Sequence, residues 1–502
     1  MRHTQAFHLS FAAALVLPVF ASAQDPAAAA FTPERVVLAA GNGRTVEADR
    51  GLVPVPLVRS EPGSRTIHVE VYRFRRQMGA NPATPPVFLL NGGPGFPGLG
   101  SSVNDTANIA RNVLPFTRFT DLVIVGQRGI GSSPPNTVCA AAPAIPVSEE
   151  PTPERRARGM REAAARCRAR WEAEGYDLRG FNVIEAAADV NDVRRAFGYD
   201  RITVFGTSFG SHWGMAVLRF HPEIVARAVM SGLEGPDHTY DSPGGVLRAL
   251  QRIADAAAQD ARLGPLLPEG GLIEALSALI RAFERTPVDH PIPGSNAHAR
   301  ITADALRGLT RGYTAATSSR AGIRSWPADM LRLIWRDWSG VAPRLAMGAR
   351  LLGPMQTASF FMLDCGSGIT AERHARHAAD PAQAIVGDPG QFYDMLCPVW
   401  GADLGDAFRQ NFHTQIPTLL AHGTWDTSTP YDNALELAPF FENSRFVTVD
   451  GGSHGALNEA IAAIPDFAAA VWHFAETGEF RNVPERVTLP PLDWVVPQRP
   501  AG

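Results

Sequence analysis

The stretch Ile202-Thr203-Val204-Phe205-Gly206-Thr207-Ser208-Phe209-Gly210 constrains this chain more than any other part of it. A β-branched apolar run leads into Gly-x-Ser-x-Gly, and helix-compatible sequence follows from Ser211. Glycines flanking Ser208 permit a sharp turn that lifts the serine out of a sheet at a helix N-terminus, the geometry of a nucleophile elbow. That turn needs a buried strand before it and a helix after it, so it predicts an α/β sheet.

The neighbouring sequence agrees. Val87–Leu90 and Leu122–Val125 are continuous apolar runs ended by polar or glycine positions, as strands buried on both faces of a parallel sheet are. Residues 50–58 and 66–73 alternate apolar and polar, which predicts half-buried antiparallel strands, and residues 226–230 read as one more buried strand. Thr152-Pro153-Glu154 is a helix start with threonine as N-cap and proline at the first turn, and the helix should end at Gly175. A second helix is expected at 183–196, feeding the elbow strand. Beyond Tyr240 the pattern changes. Helices are predicted at 271–285, 302–314, 328–338 and 341–352, with one buried strand at 357–363. Sheet-like runs resume at 417–422 and 445–449. The expected organisation is therefore a signal segment at 1–23, a first part of the sheet domain at 24–239, a mainly helical cap at 240–400, and the rest of the sheet domain at 401–502.

A serine hydroxyl is a weak nucleophile that needs a base, and the base needs an acid to orient it. Asp426 follows the strand-like run 417–422, and His454 sits in the glycine-rich Asp450-Gly451-Gly452-Ser453-His454-Gly455 after the next one. The order serine, acid, histidine and the placement of all three beyond strand ends single out Ser208, Asp426 and His454. His212 points into the fold from the elbow helix, His422 precedes its turn, and Asp450 lies at a strand terminus, so each is expected to be structural. An oxyanion hole needs two backbone N–H groups. Phe209 should supply one, and Gly93, within Asn91-Gly92-Gly93-Pro94-Gly95, the other.

Composition closes off other chemistries. Lys and Arg total 46 and every one is arginine, so no Schiff base, pyridoxal aldimine or P-loop lysine is possible. The formal charge of −4 gives no basic field for nucleic acid. Arg2, the apolar run 9–20 and Ala21-Ser22-Ala23 form the pattern of a secretory signal peptide. The run is too short and too interrupted by Pro18 to span a bilayer. An exported, soluble product is expected, periplasmic or extracellular. The four cysteines fall into sequence-local pairs, Cys139 with Cys167 and Cys365 with Cys397. Of three possible pairings the local one is favoured, since an oxidising compartment favours disulfides and no Cys-x-x-Cys or histidine cluster suggests a metal. No metal or cofactor is implied.

Asn91-Gly92-Gly93-Pro94-Gly95, Gln127-Arg128-Gly129-Ile130-Gly131-Ser132-Ser133, the elbow and the two late loops resemble the α/β-hydrolase peptidases of the prolyl aminopeptidase and secreted tripeptidyl aminopeptidase-like group. Residues 51–57, 189–198 and Trp326-Pro327 resemble further segments of that branch, and Cys397-Pro398-Val399-Trp400 is similar to its C-x-x-W segment, which supports the Cys365 pairing. Asn91, Gly126, Thr207 and Ser453 stand where the group usually has His, Asp, Gly and Gly. The resemblance implies an α/β-hydrolase fold with a helical cap and an aminopeptidase acting through an acyl-enzyme on small peptides. Such an enzyme must neutralise a substrate ammonium, and Glu234, with Asp237 and Asp241 behind it, is the expected anchor. The alternative is a carboxylesterase using the same triad on small esters, with no amine anchor.

Overall fold

A computed structural model describes residues 31–40, 43–99, 114–140, 144–146, 149–292, 298–312, 317–351 and 357–499. The expected signal segment lies outside them. Ten strands form one sheet in the order β1-β2-β3-β5-β4-β6-β7-β10-β11-β12. The first three, β1 (Glu34–Ala39), β2 (Thr45–Pro56) and β3 (Thr66–Phe74), are antiparallel, and β3 pairs antiparallel with β5 (Leu122–Val125). From there β4 (Val87–Leu90), β6 (Ile202–Thr207), β7 (Val225–Ser231), β10 (Thr418–Gly423), β11 (Ser444–Asp450) and β12 (Arg486–Thr488) run parallel. The α/β-hydrolase architecture is thus a mixed sheet with a parallel main part, as expected.

Strands β4 and β5 are buried at every residue because helices cover both faces. One face packs on helices Pro153–Ala173, Val183–Ala196 and Phe209–Phe220 through Trp171, Val190 and Trp213; the other packs on Ala456–Ala463 and Pro465–Thr477 through Leu457, Val471 and Phe474. The first helix starts as its sequence dictates. Thr152 caps it, accepting from the Arg155 N–H at 3.3 Å, and Pro153 opens it. Asn182 caps the next helix in the same way, accepting from the Glu185 N–H at 2.9 Å.

The Gln-Arg-Gly string becomes a buried junction. Arg128 has no exposed surface and donates to both Asp189 oxygens (2.7 and 2.6 Å) and to the carbonyls of Leu57 and Pro56. A guanidinium so enclosed is tolerable only because every face has a partner. Gly126, ahead of it, has no room for a larger residue. A Cβ there would lie 2.8 Å from the Glu70 carbonyl oxygen.

Between β7 and β10 runs a long, mostly helical excursion with its own apolar core, in which Leu250, Leu276, Ile280, Trp326 and Leu331 pack together. The expected helices are present as Leu272–Arg285, Ala303–Arg311, Trp326–Ile334 and Ala342–Arg350. A short antiparallel hairpin, β8 (Val288–Pro291) with β9 (His298–Ile301), was not visible in the pattern. One expectation is overturned. The run at 357–363 is not a strand but the start of the helix Ala358–Ser367, buried along its whole length. Thr357 caps it, accepting from the Phe360 N–H at 3.0 Å. A short apolar run enclosed on all sides has no periodicity to separate strand from helix. Both local disulfides form, Cys139–Cys167 and Cys365–Cys397, spanning 28 and 32 residues.

Candidate active site

Ser208 sits between β6 and the helix Phe209–Phe220 with φ +59° and ψ −132°, a backbone conformation that non-glycine residues rarely hold. The two elbow glycines make this turn sterically possible. A Cβ at Gly206 would lie 2.2 Å from the Gly210 carbonyl oxygen, and one at Gly210 would lie 1.9 Å from that of Leu90. The Ser208 N–H is tied to the end of β7 through the Ser231 carbonyl at 3.0 Å. The hydroxyl is thereby fixed at the C-terminal edge of the sheet.

Asp426 reaches the same edge from the turn after β10 and is fully buried. Its carboxylate accepts from the N–H groups of Ser428 and Thr429, both at 2.9 Å, and from the Thr429 hydroxyl at 2.8 Å. His454 Nδ1 lies 2.9 Å from its Oδ2. Burial alone would raise the Asp426 pKa, but the neighbouring imidazole and these donors hold it down to about 2. For His454, burial pulls the pKa down and the Asp426 carboxylate more than reverses this, so the net shift is upward. With Nδ1 engaged, Nε2 makes no hydrogen bond among the described residues. Gly232 is the hinge between base and serine. A Cβ there would lie 3.1 Å from His454 Cε1 and 3.3 Å from the Ser208 nitrogen. Ser453 locks the base loop in place, its N–H donating to Glu459 at 2.9 Å and its hydroxyl to the other Glu459 oxygen.

The glycine loop after β4 crosses in front of the elbow. A Cβ at Gly92 would lie 2.7 Å from Ser208 Cβ, so the loop backbone rests directly on the serine. Gly93 and Gly95 have φ of +76° and +83°. The Gln127 side chain clamps both, donating to the Gly93 carbonyl and accepting from the Gly95 N–H, each at 2.9 Å. Phe209 opens the elbow helix, so its N–H has no acceptor within that helix. Asn91 braces the far end of the loop by donating to the Gly98 carbonyl.

The rival residues are engaged elsewhere. Both ring nitrogens of His212 are bonded, to the Gly235 carbonyl and the Ser367 hydroxyl, and burial lowers its pKa to about 4. His422 accepts from the Leu233 N–H at 3.0 Å and donates to the Thr429 carbonyl at 2.7 Å. Asp450 pairs with Arg486 at 2.5 and 2.6 Å.

Glu234 follows β7 and is buried, and its side chain has no hydrogen-bond or ion-pair partner among the described residues. Burial, then the charges of Asp364 and Asp241, raise its pKa well above the usual carboxylate range. Asp241 is lifted to about 8 by burial and by Asp426, against the pull of His454 and Arg311. Burial lifts Asp364 to about 7, even though the Tyr393 hydroxyl donates to it at 2.7 Å. Tyr393 in turn stacks on Tyr240, centroids 4.6 Å apart. Asp237, expected as a reserve anchor, does not join this group. It holds the Thr370 N–H and hydroxyl and the Arg373 guanidinium, and so ties two segments of the helical excursion together. Asp364 was missed in the sequence because it directly follows the run 357–363, read as a strand and not as the helix that carries it. The cysteine beside it, paired with the Tyr393-bearing helix Gln391–Trp400, was the only signal that could have drawn the eye.

Comparisons with known proteins place the chain in a family. The alpha/beta hydrolase fold family matches residues 85–327, and the TAP-like protein family matches residues 386–480. The tripeptidyl aminopeptidases of Streptomyces lividans and Streptomyces coelicolor are both 21% identical to this chain, covering 81% of it and 78% and 77% of their own lengths. Similar solved structures include a serine hydrolase from Cycloclasticus zankles (14% identity, 85% of this chain and 98% of that one, TM-score 0.34). The proline iminopeptidase-related protein of Thermus thermophilus is another (16% identity, 86% and 99%, TM-score 0.36).

Proposed function

From the chain's membership of the α/β-hydrolases, with a TAP-like C-terminal region, we propose that it is an exported serine aminopeptidase that releases short N-terminal units from peptides. In this reading His454 Nε2 takes the Ser208 proton as the hydroxyl attacks the scissile carbonyl, and Asp426 orients and stabilises the resulting imidazolium. The N–H groups of Phe209 and Gly93 receive the oxyanion. His454 returns the proton to the leaving amine, and water releases the acyl unit from Ser208 by the same steps in reverse. The Cys139–Cys167 and Cys365–Cys397 bridges support export to an oxidising compartment. No helix among the described residues is long and apolar enough to cross a membrane.

The observation that carries the peptidase reading is the carboxyl group Glu234–Asp241–Asp364 beside the base. Glu234 has no cation partner, and Asp241 senses both Asp426 and His454. A buried acid without counter-charge, as Glu234 is, is costly, and a substrate ammonium would supply the missing charge and favour its ionised form. An ester lacking an amine gains nothing there. Parallel assays of aminoacyl and tripeptidyl amides, their N-acetylated forms and short-chain nitrophenyl esters test the proposal. Free-amine peptides should be cleaved at least tenfold more efficiently than acetylated ones. Equal cleavage of both, or cleavage of esters alone, would replace the peptidase with a carboxylesterase.

A further inference from the structure

A cavity of about 590 Å³ lies where the helical excursion meets the C-terminal segment, beyond the ends of β10, β11 and β12. Ser208, Asp426, His454 and the three carboxyls beside them do not line it. Its walls combine two kinds of group. Trp425, Trp494 and Tyr431 present aromatic rings, the two indoles 6.0 Å apart and inclined at 42°. Arg252, Arg320 and Arg486 present guanidinium groups.

The charges there are unequal. Arg486 is satisfied by Asp450, but Arg252 and Arg320 have no carboxylate within ion-pair distance among the described residues. Arg252 donates to the Thr424 carbonyl at 3.2 Å and lies over the Tyr431 ring at 5.7 Å. Arg320 donates to the Gly451 carbonyl at 2.5 Å and to that of Pro490, and lies over the Trp425 ring at 5.8 Å. Counting Asp450, three guanidinium groups face one carboxylate, so the cavity carries two uncompensated positive charges. Guanidinium groups match carboxylates in geometry, and indole and phenol faces accept a flat apolar ring. Cavities of roughly 300–1,000 Å³ with few convergent polar groups are the usual size for small-molecule sites.

We propose that this cavity is a binding site for a small aromatic carboxylate, its ring against the aromatic wall made by Trp425, Trp494 and Tyr431 and its carboxylate on Arg252 and Arg320. The site is separate from the hydrolytic centre but touches its supports. Thr424 and Trp425 immediately precede Asp426, and Gly451 stands three residues before His454. The two loops are joined at this point. The Gly451 N–H donates to the Thr424 hydroxyl at 3.0 Å, and the Trp425 N–H to the Gly452 carbonyl at 2.9 Å. The proposal does not depend on the peptidase reading, since it uses none of those residues.

Calorimetric titration of the whole protein with 2-naphthoate tests it, with 2-naphthamide as the neutral isostere and inorganic phosphate as the ring-free anion. One naphthoate should bind per chain, with naphthamide and phosphate each at least tenfold weaker. Arg320→Gln and Arg252→Gln should each weaken naphthoate tenfold or more. Protein whose Ser208 has been blocked by a sulfonyl fluoride should bind it unchanged. Absence of naphthoate binding at millimolar concentration overturns the proposal, as does equal affinity for the amide or for phosphate. Loss of binding after sulfonylation would assign the ligand to the catalytic cleft and overturn it equally. The ligand comparison needs no variant, so a misfolded substitution leaves the test intact.

Discussion

Two sets of enclosed carboxyl groups lie around the candidate active site, and their pKa values are shifted in opposite directions. Asp426 is fully enclosed yet is held down to about 2, whereas Asp364 and Asp241 are pushed up to about 7 and about 8. Burial raises all three. What differs is the company. Asp426 receives two backbone N–H groups, a hydroxyl and an imidazole, while Asp364 has one phenol, and the Glu234 side chain has no partner among the described residues. An acid with its donors built in is ready to stabilise a charge that appears on His454. Acids with one donor or none would gain most from a charge that arrives with the substrate. In the proposed function the first set serves chemistry and the second recognition.

The sharpest break between the sets comes from deleting the chemistry. Ser208→Ala and His454→Ala should each lower kcat/KM by about 10⁴-fold or more, with the double variant little worse, because such residues act as a unit. Asp426→Asn should lose up to about 10⁴-fold through the wrong imidazole tautomer. All three losses should appear on peptides and esters alike. Near-normal turnover by His454→Ala, measured on either substrate, removes it as the base.

Recognition should respond more mildly and more selectively. A charge-assisted hydrogen bond contributes about 1.5–3 kcal/mol. Glu234→Gln should therefore cut kcat/KM on free-amine peptides by roughly 10- to 150-fold while leaving an acetate ester nearly unchanged. Equal losses on both substrates would place Glu234 in the structural framework instead.

The pH profiles separate the sets again. His454 must be neutral to accept a proton, and its raised pKa means ester hydrolysis falls as pH drops through a value above 6.5. Peptide hydrolysis carries a second requirement, ionised carboxyls, so its rising limb should extend further, through about 7 to 8 where Asp364 and Asp241 ionise. Superimposable ester and peptide profiles would show that the acids play no part in substrate binding.

The smallest effect concerns stability. Asp241 has a folded-state pKa above its ordinary value, so its contribution to stability is present in full below 3.8 and is lost progressively as pH rises from there to about 8. Asp426 behaves inversely, losing its contribution only as pH falls toward about 2. Asp241→Asn should thus raise the melting temperature by about 1–3 °C more at pH 9 than at pH 3, where the carboxyl is protonated in both states. A thermal scan showing the same shift at both values would mean that packing, not ionisation, governs this residue.

Much of the sheet was legible because its signals are local. Continuous apolar runs set β4 and β5, Thr152 and Pro153 set a helix start, and Gly206 and Gly210 frame an elbow whose crowding permits nothing larger. Ser208, Asp426 and His454 could be singled out for the same reason, each lying just past a strand that announces itself. The helical excursion was read less well. Ala358–Ser367 is enclosed between the sheet domain's helix Val183–Ala196 and the helix Gln391–Trp400, so it shows no polar face from which a helical period could be read.

The sequence by itself therefore determined the elbow, the order of strands and helices around it, and the chemistry available without a single lysine. Only the tertiary structure decided what each polar group meets. It sent Asp237 to Arg373 and left Glu234 beside Asp364, and it turned Gln127 into the clamp on Gly93 and Gly95. It also gathered Arg252 from one helix, Arg320 from another and Trp494 from the C-terminal segment around one cavity. Turn and period signals act over a few residues and are written in the chain. Ionisation and recognition depend on partners hundreds of residues away, and those partners exist only once the sheet and its helical excursion have closed on each other.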